Sequence, residues 1–452
     1  MSELYSSDAI DIIFTGHKYA SSKEEAAAIA LEAGTDLDCG QYYRNLAPAI
    51  AKNLTQESVL DQALHRLFYA RFRLGLFDSY DSQPEMKYPA SIVNGPEHRE
   101  LALQAAHESI VLLKNLDNTL PLSRQSGKIA VIGPHANSTE PLCGNYHGSL
   151  GHVVSVLEGI LEHYPIDDVL YAQGSGVTTG SNDQVRKAIQ AARSADQVIL
   201  VLGIDDHVEA ESKDRYDIGL PAAQLRLYQE VLQVTQNVIL VLVNGGSLDI
   251  SDAKLNPRVK GILEAFYPGE QGGLAVADVL FGHYNPSGRL PITILDSDYI
   301  NQVDFLDMSL RNGMGRTYRF YRGEPVYPFG FGLSYTEFHF KVVSSHIWMR
   351  RGEVRAALTV RVSNVGSMDG AVSVLSFISN PSPLCPLRQL FDMRKFSLAR
   401  SESTDFVVEF SGAQAHCYTH SGRKVVVSGE YTVSVGEQVS FKFVQPNAVA
   451  LE

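Results

Sequence analysis

The heptapeptide QVILVLG, residues 197–203, decides the fold of this chain. Five consecutive apolar residues stand between a polar residue and a glycine. An unbroken apolar run of this length is typical of a strand that is buried on both faces of a sheet. Similar runs lie on both sides of it: KIAVIG (128–133), DVLYAQG (168–174), NVILVLVNG (237–245) and GILEAF (261–266). Helical patterns at 182–193, 221–235 and 271–281 separate or follow these runs, so we predict a mostly parallel sheet with helices on both faces.

A charged stretch, VEAESKDR (208–215), follows this strand within a few residues. It holds three acids, Glu209, Glu211 and Asp214, and two bases. Open α/β sheets bind their ligands beyond the carboxyl ends of the strands, which makes this stretch a candidate functional loop. The alternative is a solvated, charge-balanced loop, because charge runs usually lie on the surface.

The flanking regions have different patterns. SSKEEAAAIALEAG (21–34) indicates a helix that Ser22 and Glu25 begin and Gly34 ends, and a second amphipathic helix follows at 57–78. Residues 79–105 are rich in turn formers and predict a linker. From about residue 338 onward, β-rich runs alternate with Gly, Asn, Ser and Pro turns, which predicts an antiparallel β-sandwich of about 100 residues.

Composition excludes several classes of protein. The 452 residues carry a formal net charge of −13, which argues against a nucleic-acid partner, because phosphate binding depends on clusters of Lys and Arg. No run approaches the roughly 18 apolar residues of a membrane span, and the first residues lack the pattern of a signal peptide. The four cysteines have neither the spacing of a zinc site nor that of a disulfide framework. We expect no metal and no cofactor.

Several motifs in succession resemble glycoside hydrolase family 3, in its β-xylosidase and β-glucosidase branch. The motifs are AGTDLDCG (33–40), ESIVLLKN (108–115), FYPGEQGGLAVADVLFGHYNPSGRLPIT (266–293) and GRTYRFYRGEPVYPFGFGLSYTEF (315–338). The resemblance implies a remnant of a (β/α)8 barrel at 1–78, the linker at 79–105, an α/β sandwich domain at 106–300, a connecting segment at 301–337 and a fibronectin type III-like β-sandwich at 338–452. It also implies that longer relatives are often secreted.

The resemblance implies a catalytic pair of carboxyl groups. Retaining glycosidases use a nucleophile and an acid/base about 5 Å apart. The family's acid/base often lies in a Glu-x-x-(Asp/Ser)-Arg pattern, which Glu211 to Arg215 fits, and Glu209 is the second choice because some members have its five-residue spacing to Asp214. The family's nucleophile segment resembles LYSSDAIDIIFTGHKY (4–19). Counting back without a gap reaches Ser6, whereas a two-residue deletion makes Asp8 the nucleophile; the alternative is an unpaired surface aspartate.

The resemblance therefore implies a retaining hydrolase of terminal β-linked xylosyl or glucosyl residues, acting on oligosaccharides or glycosides. Since only residues 1–78 precede the linker and such barrels take about 250 residues, we expect weak or no turnover by the 452-residue chain alone. A non-catalytic carbohydrate-binding or interaction protein is the alternative. A nucleotide-binding α/β protein is disfavoured, because VNGGS (243–247) and IGPHANST (132–139) predict tight turns rather than phosphate loops.

Overall fold

A computed structural model describes residues 9–123, 127–148, 151–211, 213–410, 414, 416–419 and 421–450. Its helices are α1 Ala9–Thr15, α2 Lys23–Glu32, α3 Leu46–Ala51, α4 Glu57–Arg73, α5 Pro96–Ser109, α6 Val156–His163, α7 Asn182–Arg193, α8 Ala222–Leu232, α9 Ser251–Leu255, α10 Gly272–Leu280, α11 Tyr299–Gln302 and α12 Thr317–Phe320. Within these ranges no helix combines the length and the hydropathy that crossing a membrane requires.

The strands alternate with helices first and then follow one another directly. They are β1 Val111–Asn115, β2 Ile129–Ile132, β3 Val169–Ala172, β4 Gln197–Gly203, β5 Val238–Val243, β6 Val259–Glu264, β7 Phe338–Arg350, β8 Glu353–Asn364, β9 Gly370–Ser379, β10 Gln389–Leu398, β11 Ser403–Phe410, β12 Cys417–Tyr418, β13 Lys424–Val426, β14 Gly429–Val435, β15 Val439–Gln445 and β16 Val449–Ala450.

The chain divides into two compact units, residues 1–93 and 94–452. The first unit contains α1 to α4. As the sequence predicts, the Ser22 side chain accepts a hydrogen bond from the Glu25 backbone amide at the start of α2, and Gly34 takes a positive φ of 102° after its end. The predicted linker at 79–105 spans short 3-10 turns and ten of the 14 residues of α5, Pro96–Ser109, and that helix belongs to the second unit.

A six-stranded sheet, in the order β1-β6-β5-β4-β2-β3, forms the centre of the second unit. β2 to β6 run parallel, and β1 pairs antiparallel with β6, which confirms the predicted α/β class with a mostly parallel sheet. At the β1 edge, the Leu333 backbone amide donates to the Leu112 carbonyl at 2.8 Å. The opposite edge is β3, a strand of four residues.

Both faces of this sheet are buried, as the unbroken apolar runs require. In β4, Val198, Leu200 and Leu202 pack into one core together with side chains of α7, α8 and α9. The intervening Ile199 and Val201 point the opposite way and pack with α5, α6 and α10. The continuous hydrophobicity of the strand therefore fills two cores at once.

Two glycines allow α6 and α10 to approach closely. A β-carbon added at Gly159 would lie 2.2 Å from the Gly273 carbonyl oxygen, and one at Gly273 would lie 2.1 Å from the Ser155 carbonyl oxygen. Backbone atoms cannot move out of the way as the end of a flexible side chain can. The close packing of α6 on α10 depends on both glycines.

Replacing Gly159 by alanine is expected to lower the free energy of unfolding by about 1–3 kcal/mol, because the added methyl group forces the two helices apart. Chemical denaturation measures the effect. Gly148→Ala is a suitable control, since a β-carbon there meets no described atom within 4 Å. Equal stability of the two variants would contradict the close helix contact.

Residues 338–450 are rich in antiparallel strands, as predicted. A four-stranded sheet, β10-β9-β14-β15, and a three-stranded sheet, β11-β8-β7, share one hydrophobic core. Burial alternates along β8, which is the pattern of a strand with one face on a core. The assignment of this region to the fibronectin type III-like class stays a prediction.

The segment 327–338 packs between the α/β part and the β-rich part of the second unit. The Phe329 ring stacks on Tyr318 with centroids 4.1 Å apart, and the Tyr335 hydroxyl donates to the Val279 carbonyl at 2.8 Å. The Phe329 ring also lies edge-on to Phe377 of β9, with centroids 6.1 Å apart, so the aromatic residues of this segment contact both parts.

A disulfide joins Cys385 to Cys417, although the cysteine spacing gave no sign of one. The two residues are 32 positions apart in the sequence, and the β-rich region brings their Cα atoms to 4.9 Å. Cys39 and Cys143 are free thiols. Sequence spacing failed here because the pairing depends on strand topology.

Candidate active site

The loop after β4 begins at the carboxyl edge of the central sheet, where the sequence places its candidate functional residues. The Ile204 amide donates to the Val243 carbonyl at 2.9 Å and so extends the pairing with β5. Asp205 is buried, and its carbonyl accepts from the Glu209 amide at 2.9 Å. Glu209 and Glu211 therefore stand on one compact loop at this edge.

Glu209 is held by groups from two other segments and by Arg215 at the end of its own loop. Its Oε1 accepts from the Gly245 amide at 2.6 Å and from the Tyr267 hydroxyl at 2.7 Å. The Gly246 amide lies 3.1 Å from both carboxylate oxygens. Arg215 Nη1 lies 3.5 Å from Oε2, and the Glu209 side chain is 17% exposed.

These contacts suit Glu209 to anchoring the loop. Its oxygens already accept from several donors, so few of their lone pairs are left for an external group. Burial, followed by the hydrogen bond to Glu209, raises the pKa of Tyr267 well above its usual range. That phenol therefore stays protonated and keeps donating. The VNGGS turn does bind an anion with its backbone amides, and the anion is a carboxylate of the same chain.

Glu211 lies on the exposed part of the same loop. The Lys213 amide donates to the Ala210 carbonyl at 3.0 Å, which closes a tight turn around it. The hydroxyl of Tyr146, a residue that is 76% exposed, donates to Glu211 Oε2. This hydrogen bond raises the pKa of Tyr146. Glu211 thus combines an exposed side chain with a backbone that the turn holds.

Arg215 and Asp214, two further charged residues of the loop, differ in burial. Arg215 is 13% exposed at its side chain and donates from Nη2 to the Ser247 carbonyl at 2.5 Å. Asp214 is exposed. Arg215 therefore ties the end of the loop to the Gly245–Ser247 turn as well as to Glu209.

Asp8, the candidate nucleophile, lies outside the described residues. The family assignment of that position rests on the sequence resemblance alone, and the role of Asp8 stays a prediction.

A group of possible metal ligands lies at the start of the loop. Ligand atoms of Asp205, Asp206 and His207 lie within 4.8 Å of one another. Asp205 Oδ1 also accepts from the His207 amide at 3.1 Å, which is the usual way for an aspartate to begin a turn. Nearby, burial lowers the pKa of His135 to about 4, so this imidazole is neutral at physiological pH.

Several residues of the site were not found from the sequence. They are Tyr146, Tyr267, Asn244, Glu264 and the Gly245–Gly246 pair. A weak signal existed in the two adjacent glycines after β5, because glycine permits close approach of the backbone to another group. A β-carbon on Gly246 would lie 2.8 Å from Glu209 Oε2.

Residues 110–335 match the family model for the glycosyl hydrolase family 3 C-terminal domain. That range makes up half of the chain and contains Glu209, Glu211 and the turns that hold them. The chain belongs to glycoside hydrolase family 3.

The relatives of this family 3 chain include xylosidases and glucosidases. It is 41% identical over 367 residues to beta-D-xylosidase 1 of Arabidopsis thaliana, covering 80% of this chain and 46% of that protein. A solved family 3 exo-beta-xylosidase in complex with a xylobiose aziridine probe superposes with a TM-score of 0.88 at 29% identity, covering 98% of this chain and 61% of that chain. The beta-glucosidase of Listeria innocua in complex with glucose gives 0.85 at 27% identity, covering 99% and 63%.

The chain spans about half the length of the curated relatives that it matches. Its family membership supports a glycoside hydrolase type of enzyme.

Proposed function

We propose that this chain contributes the acid/base side of a retaining β-glycosidase that removes terminal β-linked xylosyl or glucosyl residues from oligosaccharides or glycosides. The observation that carries the proposal is the difference in hydrogen bonding and exposure between two glutamates. Glu209 is fixed by backbone amides, Tyr267 and Arg215, while Glu211, two residues later, is exposed. The names of the relatives support the choice of sugars.

In this mechanism Glu211 donates a proton to the glycosidic oxygen as the bond to the anomeric carbon breaks. It then removes a proton from the water that attacks the glycosyl-enzyme. The anchoring of Glu209 and Arg215 holds the Glu211 backbone during both steps. Asp8 is the proposed nucleophile, and no cofactor is required by this chemistry.

The proposal is tested by hydrolysis of aryl β-xylosides and aryl β-glucosides. Two proteins are compared: the 452-residue chain, and a chimera that adds the part of a longer relative to which this chain does not correspond. We expect little turnover by the chain itself, because fixing the sugar against both carboxyl groups contributes about 7–11 kcal/mol to catalysis. The chimera should hydrolyse xylosides at a rate within about tenfold of the relative.

The stereochemistry of the first product provides a second criterion. Retention requires that the released sugar appears first as the β-anomer, which proton NMR detects before mutarotation. Release of the α-anomer would contradict the retaining mechanism. A folded chimera without activity, beside an active relative, would contradict the proposed function and favour a non-catalytic role.

A further inference from the structure

A buried carboxyl group lies behind the anchored Glu209. Glu264 is the last residue of β6 and is fully buried. Its backbone neighbours in the sheet are Val111 of β1 and Leu242 of β5, so the sheet itself supplies no cation for it. The Glu264 side chain is not used in the mechanism above.

Glu264 contacts both turns that hold Glu209. Its Oε1 accepts from the Phe266 amide at 3.1 Å, and Phe266 has a φ of 54°, which is unfavourable for an aromatic residue. The next residue is Tyr267, whose hydroxyl donates to Glu209. Glu264 therefore stabilises the strained turn that positions this hydroxyl.

The second turn is reached through Asn244. The Asn244 amide lies beside the Glu264 carboxyl group, and its Nδ2 donates to the Gly246 carbonyl at 3.0 Å. The Gly246 amide in turn binds Glu209. Asn244 is fully buried, so its position depends on these neighbours.

Each of these two residues has one buried oxygen atom that lacks a hydrogen-bond partner among the described residues. They are Glu264 Oε2 and Asn244 Oδ1. Two acceptors cannot satisfy each other, and a buried unpaired acceptor is unfavourable. One proton on Glu264 Oε2, donated to Asn244 Oδ1, would satisfy both.

We propose that Glu264 is a positioning residue, a neutral carboxylic acid that donates to Asn244 and fixes the two turns that hold Glu209. The consequence for catalysis rests on the proposed role of Glu211, which the Glu209 anchor positions. The structural claim about Glu264 stands independently of it.

The charges around Glu264 favour its neutral form. Burial is the largest cause and raises the pKa of Glu264 to about 8; the Phe266 amide and the Asn244 side chain act in the opposite direction, and the Glu209 carboxylate adds a smaller increase. Arg215 pairs with Glu209, Tyr267 stays protonated and His135 is neutral. Above pH 8, an ionised Glu264 would add a second negative charge beside Glu209 and leave Asn244 Oδ1 without its donor.

The sign of the pH dependence follows from the raised pKa. The stabilisation by neutral Glu264 is fully present below about pH 4.5, the value for an unfolded glutamate, and is lost as the pH rises through about 8. In that window the unfolding constant of the native chain should rise up to tenfold per pH unit relative to Glu264→Gln. A glutamine side chain at position 264 can accept from the Phe266 amide and donate to Asn244 Oδ1 at every pH.

The test measures hydrogen exchange of residues 204–211 and 244–250 between pH 6 and pH 10, in the native chain, Glu264→Gln and Glu264→Ala. Exposed Glu162 of α6 provides the matched control, Glu162→Gln. Relative to Glu264→Gln, we expect protection in the native chain and the control to fall at least tenfold between pH 6 and pH 8 and to level off above pH 8. Glu264→Gln should stay protected throughout, and Glu264→Ala should lose protection at all pH values.

Infrared difference spectra of the native chain between pH 6 and pH 10 report carboxyl ionisation without depending on how a variant folds, and Glu264→Gln assigns the band. A protonated carboxyl band below pH 8 that Glu264→Gln lacks supports the proposal. A carboxylate band at pH 7, or the same loss of protection in Glu264→Gln as in the native chain, would overturn it.

Kinetics in the chimera separate this inference from the proposed function. If both hold, kcat/KM of the native sequence falls above pH 8, and Glu264→Gln extends the alkaline limb of the profile. If exchange and infrared results agree with the inference while Glu211 variants keep full activity, only the proposed function fails.

Discussion

Glu211→Ala is expected to lower kcat/KM by about 10²- to 10⁴-fold for β-xylosides with poor leaving groups, the range that a general acid contributes. Dinitrophenyl β-xylosides should lose far less in the glycosylation step, because their leaving group departs without a proton. The measurement uses the chimera described above. Because Glu211 is exposed and shares one hydrogen bond with Tyr146, thermal stability should change little.

Azide provides a specific control for this role. Azide is a nucleophile that needs no general base, so it should accelerate turnover by Glu211→Ala and yield a β-glycosyl azide. It should have no such effect on Glu162→Gln, which changes an exposed glutamate on α6. Equal losses for good and poor leaving groups, without azide acceleration, would contradict an acid/base role for Glu211.

Glu209→Ala is expected to act through structure. The change leaves the Gly245 and Gly246 amides, the Tyr267 hydroxyl and Arg215 without their shared acceptor. Removing one partner from a mostly buried ion pair lowers the free energy of unfolding by about 3–5 kcal/mol. Chemical denaturation and hydrogen exchange of residues 204–211 measure this loss.

The activity of Glu209→Ala should fall most for poor leaving groups and recover partly with azide, as for Glu211→Ala, because the displaced loop carries Glu211 out of position; unlike Glu211→Ala, it should also lose stability. Glu209→Gln is the milder variant, since it keeps the shape of the side chain but turns one acceptor into a donor that faces the Gly246 amide. If Glu209→Ala kept full stability and recovered with azide, Glu209 would be the acid/base and Glu211 the surface residue.

Local patterns sufficed for the elements that position the site. The helix at Asn182–Arg193 and the strand at Gln197–Gly203 have the same bounds in the sequence prediction and in the structure. Both depend on periodicity and end signals within a dozen residues. The carboxyl-edge location of Glu209 and Glu211 follows from the parallel order of the strands.

The difference between the two glutamates could not be read from the motif. Glu209 binds Gly245 and Tyr267, which are 36 and 58 residues away, whereas the motif is a local pattern of charge and spacing. The role of Glu264 was also missed, because the last position of a buried strand is expected to be apolar. The preference for Glu211 over Glu209 came from the motif alone and stays a prediction.

The two edge strands of the central sheet limit how this chain can pair wrongly with other chains. Open strand edges are templates for pairing with other chains, and proteins protect them by shortening or covering them. Here Leu333 pairs with Leu112 at the β1 edge, and the β3 edge offers only four residues after the acidic pair Asp167 and Asp168. A folding intermediate in which the central sheet forms before residues 328–333 dock would leave the β1 edge exposed. Aggregation during refolding should therefore depend on how soon residues 328–333 cover this edge.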